Sequence, residues 1–105
     1  MGKFDGLHQK LEKRRAELGE RLERIKDDLA SPHSRDWDEQ AQERENDEVL
    51  SQLRTDIEQE LRSISNALDR MKHQQYGICS ACSAEIPLAR LEARPETVHC
   101  VKCAA

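Results

Sequence analysis

The chain has 105 residues, of which 36% are charged and 3% aromatic. One compact unit is the default at this length, and so little aromatic bulk excludes a broad packed interior while suiting the narrow seam between two helices. A net charge of −4 argues against general binding to phosphate backbones and leaves basic protein surfaces as partners.

Leu7, Leu11, Leu18, Leu22, Ile25 and Leu29 recur at helical spacing, with no proline among them. Leu11, Leu18 and Ile25 share one heptad position; Leu22 and Leu29 share its partner, which Arg15 fills one heptad earlier. The pattern predicts an amphipathic helix over about 7–30. Ser31-Pro32-His33-Ser34 then breaks it, because the residue before a proline is pushed out of the α region. A second helix is expected over about 38–75, on the order of 55 Å long. Carboxylates at Asp36 or Asp38 suit its positive end. Its seam is expected to begin at Val49. Leu50, Ile57, Ile64 and Met71 repeat every seven residues, Leu53, Glu60 and Ala67 fill the other seam position, and Leu61 and Leu68 widen the stripe. A short turn makes the two helices antiparallel neighbours. Arg15 and Glu60 are expected to pair inside one hairpin, so a monomer is expected, with a dimer as the other possibility.

The turn, about 31–40, forms an acidic tip. Residues 27–48 hold nine Asp/Glu against two Lys/Arg, whereas 1–26 hold eight Lys/Arg against five acids and 49–105 hold seven of each. Asp36, Trp37, Asp38 and Glu39 are the candidate partner-binding residues. Clustered carboxylates can meet basic side chains or a bound Mg2+, and an exposed Trp is a typical anchor. The plainer alternatives are a solvated charged turn and a Trp37 folded over Leu29 or Ala30.

Four cysteines close the chain: Cys79-Ser80-Ala81-Cys82, seventeen residues, then Cys100-Val101-Lys102-Cys103. Two CxxC pairs at this separation predict tetrahedral coordination of one structural zinc by Cys79, Cys82, Cys100 and Cys103. Two disulfides or four free thiols are the alternatives, and His99 is a candidate substitute ligand. Arg90, Arg94 and Lys102 are near enough in sequence to offset the charge of four thiolates. Ile86, Leu88 and Leu91 are expected to pack on the lower end of the second helix, near Leu68 and Met71. The predicted architecture is therefore mainly α: a helical hairpin over 1–75 and a C-terminal four-cysteine module over 76–105. Four protein sulfurs leave no open metal position. No nucleophile–base pair or phosphate loop is visible, and His8, His33 and His73 are scattered. An enzyme is not expected. With no apolar run of signal or membrane length, a cytoplasmic location is expected, without a membrane partner.

Tyr76-Gly77-Ile78-Cys79-x-x-Cys82, Ile86, Arg90-Leu91-Glu92-Ala93-Arg94-Pro95 and Cys100-x-x-Cys103 together resemble the DksA/TraR C4-type zinc-finger family. The resemblance covers about 38–103. It implies a transcription regulator that binds bacterial RNA polymerase without contacting DNA. The hairpin would enter the secondary channel, with acidic tip residues approaching the active site. Arg90 and Arg94 become possible partner or nucleotide contacts. The sequence departs from the family's pattern at several points. Arg35 and Gln40 stand where the tip motif has Asp and Ala, and Ser83 where Gly is usual. With Ala105 last, the family's C-terminal helix is expected to be missing. Ser63 and Ala104 replace basic residues of the guanosine tetraphosphate site, so a response to that nucleotide is not expected. The alternative function is a zinc-stapled helical adaptor for another protein.

Overall fold

The computed structural model describes residues 2–30 and 37–103, and only the backbone of 37–45. His33, Arg35, Asp36 and Ala104 lie outside the described residues. Three helices follow in order: α1 (Asp5–Ala30), α2 (Trp37–Lys72) and α3 (Leu88–Ala93). The first two form an antiparallel hairpin, and α3 lies within the cysteine module. The radius of gyration is 18.3 Å, against about 13 Å for a compact chain of this length. The molecule is a rod, with principal extents of 57 × 30 × 20 Å.

The seam follows the heptads. Leu7, Leu11, Leu18, Leu22 and Ile25 of α1 are buried, as are Ile57, Ile64 and Ala67 of α2. Leu29, Leu50, Leu53, Leu61, Leu68 and Met71 pack half-buried against them. Each buried Leu or Ile contributes roughly 1.5–3 kcal/mol relative to exposure. Tyr76, Ile86, Leu91, Cys79 and Cys100 belong to the same apolar cluster, so one core runs from the hairpin into the cysteine module.

Three expectations are corrected. Val49 is 60% exposed, and the seam begins at Leu50. Adjacent helical residues point about 100° apart, and Leu50 is the one in register with Ile57. Leu88 is also exposed, and only Ile86 and Leu91 of its set are buried. Glu60 pairs with Arg14 rather than Arg15, and Arg15 bonds Glu12 on its own helix at 2.7 Å.

Helix α2 stops at Lys72 because Gln74 takes φ +60°. The Gln75 N–H then reaches back to Arg70 O at 2.8 Å and the Gln74 N–H to Met71 O at 3.2 Å. These are the two bonds of a Schellman C-cap. The Arg70 guanidinium adds bonds to the carbonyls of Gln75 and Ile78. The end of α2 is thereby tied to the segment entering the first CxxC.

Candidate metal centre

The first CxxC is shaped by backbone bonds. Cys79 N–H donates to Ala84 O at 2.8 Å, Ser83 N–H to Cys79 O at 2.9 Å and Ile86 N–H to Gly77 O at 2.7 Å. Ile78 and Glu85 form an isolated antiparallel bridge. Closing so tight a loop puts Ser83 at φ +63°, a position that favours glycine. The second CxxC is closed by Cys103 N–H to Cys100 O at 3.1 Å, and Ser80 N–H donates to Val98 O at 2.8 Å, joining the two segments.

The four sulfurs converge. Cys79, Cys82, Cys100 and Cys103 place Sγ atoms within 4.8 Å of one another. The Cys82–Cys100 separation is 3.7 Å, far too long for a disulfide, and all four cysteines are free. A tetrahedral zinc with about 2.3 Å bonds to sulfur needs sulfur–sulfur edges of about 3.8 Å. The donor set therefore fits one zinc ion, and four thiolates leave no position for a substrate. Cys79 and Cys100 are buried, Cys103 is half-buried and Cys82 faces solvent.

Backbone N–H groups prepare two of the sulfurs as thiolates. The N–H of Cys100 foremost, then that of Cys82, brings the Cys79 thiol down to about 5. The N–H of Cys103 lowers Cys100 in the same way. Cys103 is pushed up to about 12, because it keeps a proton shared first with Cys100 and then with Cys82 and Cys79. An incoming cation replaces that proton as the partner of the surrounding sulfurs.

His99 is not among the convergent donors, since its Nδ1 lies 3.3 Å from Ser80 Oγ. Arg90 braces the approach to Cys100: its Nε donates to His99 O at 2.9 Å and its Nη2 to Thr97 Oγ1 at 3.5 Å. Arg94 is exposed, with Nε 3.6 Å from Glu96. Trp37, Asp38 and Glu39 open α2 at the end of the rod remote from the cysteines. Several supports were not legible in the sequence: Tyr76 Oη donates to Pro95 O at 2.8 Å and Lys10 Nζ to Glu92 O at 3.2 Å, alongside the Arg70 bonds. A lone tyrosine beside a CxxC was the only available hint, because carbonyl acceptors leave no trace in residue type.

Among the described residues, no helix is long and apolar enough to cross a membrane. Residues 7–71 match the DnaK suppressor protein-like N-terminal domain, and residues 74–105 the prokaryotic dksA/traR C4-type zinc finger. An uncharacterized protein of Aquifex aeolicus (strain VF5) is 37% identical over 95 residues, 90% of this chain and 64% of that one. The RNA polymerase-binding transcription factor DksA of Buchnera aphidicola subsp. Acyrthosiphon pisum is 40% identical over 43 residues. That of Escherichia coli (strain K12) is 35% identical over the same length. Each of these two matches covers 41% of this chain and 28% of the relative. The chain thus spans less than two thirds of the length of these curated relatives. The solved structure of transcription factor DksA2 from Pseudomonas aeruginosa superposes with a TM-score of 0.77 at 26% identity, covering 93% of this chain and 77% of that one. With both halves matched in order and the four sulfurs converging at the base of the hairpin, the chain belongs to the DksA/TraR C4-type zinc-finger family.

Proposed function

We propose that this chain is a DksA-type regulator that binds bacterial RNA polymerase through the secondary channel and acts from the acidic end of its hairpin, without contacting DNA. The observation that carries the reading is the division of the rod. The zinc-type cluster closes one end, while along the sequence the acidic excess of residues 27–48 falls around the connection from α1 to α2. A rigid two-helix arm of this kind can carry carboxylates into a narrow opening, where they meet basic residues or a bound Mg2+. The relatives named as RNA polymerase-binding factors support the choice of partner. The chain's net charge of −4 supports a protein partner over a phosphate backbone. In this reading the module supplies no chemistry of its own, and its metal serves to hold the base of the arm.

The test has two arms. Purified core polymerase should retain the zinc-loaded protein at low salt, and a promoter assay should respond to it. Asp36→Asn combined with Asp38→Asn should leave retention intact and abolish the response. Absence of retention would point instead to an adaptor for another protein. An unchanged promoter response in the double variant would remove the acidic tip from the mechanism.

A further inference from the structure

The N-terminal residues of the chain reach the base of the metal site. The Phe4 ring meets the Tyr76 ring edge-on, with centroids 4.8 Å apart and planes at 82°. It also seats directly on Gly77. That residue takes φ +84°, and a Cβ added there would stand 2.9 Å from Phe4 Cζ. Only glycine leaves the ring this approach.

Both ligand pairs hang from these two residues. The Gly77 carbonyl accepts the Ile86 N–H and so closes the loop carrying Cys79 and Cys82. The Tyr76 hydroxyl holds the Pro95 carbonyl at 2.8 Å. From Pro95 the chain runs through Thr97 and Val98, which are fixed by Thr97 N–H to Arg94 O and Ser80 N–H to Val98 O, into Cys100. Phe4 itself is tied to α1, since its carbonyl accepts the His8 N–H at 2.8 Å.

We propose that Phe4 is a positioning residue of the metal site, coupling metal occupancy to the docking of the first turns of α1 on the base of the molecule. Phe4 is not one of the four convergent donors. It backs the Tyr76-Gly77 pair from which both CxxC turns are suspended, so that less ordering remains to be done when the four sulfurs are gathered. The coupling is reciprocal by thermodynamic necessity: whatever factor Phe4 adds to metal affinity, the metal adds to the seating of Phe4. The inference concerns the base of the rod and stands independently of the polymerase reading.

The experiment measures zinc affinity by competition with a chromophoric chelator, and amide hydrogen exchange with and without zinc. Phe4→Ala should lower zinc affinity about tenfold, the lower end of what loss of an indirect support costs. Phe4→Leu, which keeps apolar bulk, should recover part of it. Leu22→Ala loosens the seam far from the base and should leave affinity within about twofold, which separates positioning from general destabilisation. In the wild type, zinc removal should speed exchange over residues 5–12 more than over 18–25. Phe4→Ala should abolish that zinc dependence. Wild-type affinity in Phe4→Ala overturns the proposal, as does exchange that rises equally along the hairpin or not at all when zinc leaves. If Phe4→Ala does not fold, Phe4→Leu carries the test, and wild-type zinc affinity in that variant overturns the proposal.

Discussion

Arg14 of α1 grips Glu60 of α2 with two bonds, Nε to Oε1 at 3.0 Å and Nη2 to Oε2 at 3.3 Å. This forked geometry specifies orientation as well as charge. Donating to the Glu60 carboxylate raises the already high pKa of the guanidinium. The pair bridges the two helices in the half of the hairpin nearer the cysteine module, lining one hollow with Ala93, Pro95 and Glu96.

Its energetic weight is modest, because the two side chains are 48% and 38% exposed. A double-mutant cycle with Arg14→Met and Glu60→Gln should give a coupling of about 0.5–1 kcal/mol, shrinking as salt is added. The same cycle with Arg15→Met in place of Arg14 should give none, since Arg15 bonds Glu12. Equal coupling for both arginines would contradict the Arg14–Glu60 pairing.

Two positive-φ positions predict opposite effects. Ser83 at φ +63° carries the cost of a left-handed L-residue, about 1–2 kcal/mol. Glycine would relieve it while adding about 0.5–1 kcal/mol of chain entropy. Ser83→Gly should therefore stabilise the zinc-loaded protein slightly, by about 0.5–1 kcal/mol in denaturant unfolding. Gly77→Ala combines the left-handed cost with the Phe4 approach and should destabilise by about 2 kcal/mol or more.

Tyr76 is the only tyrosine, so its ionisation can be read directly by ultraviolet absorbance. Burial, with a smaller contribution from the nearby Glu96 charge, pushes its hydroxyl up from 10.0 to about 12. A raised folded-state pKa contributes stability that is full below 10 and lost as pH rises through 12. The phenolate should therefore appear near pH 12 in the folded protein, and stability should begin to fall above pH 10. Ordinary titration near 10 in the native protein would contradict the Tyr76–Pro95 contact.

Metal affinity should rise with pH. Cys79 is already a thiolate above about 5, whereas Cys103 holds its proton up to about 12 in the metal-free cluster. At neutral pH the ion must displace at least that one proton, so affinity should climb roughly tenfold per pH unit between about 6 and 8. For Cys79 the folded pKa lies below the unfolded one, so its contribution is lost as pH falls through about 5, and acid should release the ion. Chelator competition across this range is the measurement. A flat profile would mean that no proton leaves on binding.

Much of this molecule could be read from residue order. Helix seams announce themselves because Leu11, Leu18 and Ile25 recur at the period of the helix, and local periodicity needs no knowledge of the partner. The convergence of Cys79, Cys82, Cys100 and Cys103 was legible for a similar reason, since each CxxC turn aims two sulfurs to one side whatever surrounds it. Family membership followed from the residues between those pairs.

Other features were decided only in three dimensions. Whether Arg14 or Arg15 meets Glu60 depends on the rotation of α1 about its axis, which packing of the whole seam sets. Whether Val49 or Leu50 faces inward depends on the same rotation in α2. The seating of Phe4 on Gly77, 73 positions further along the chain, has no local signature at all. Residue order determined which groups were available and with what period. The folded chain alone decided which distant pairs touch, because such contacts depend on helix register and on the angle at which the cysteine module meets the hairpin.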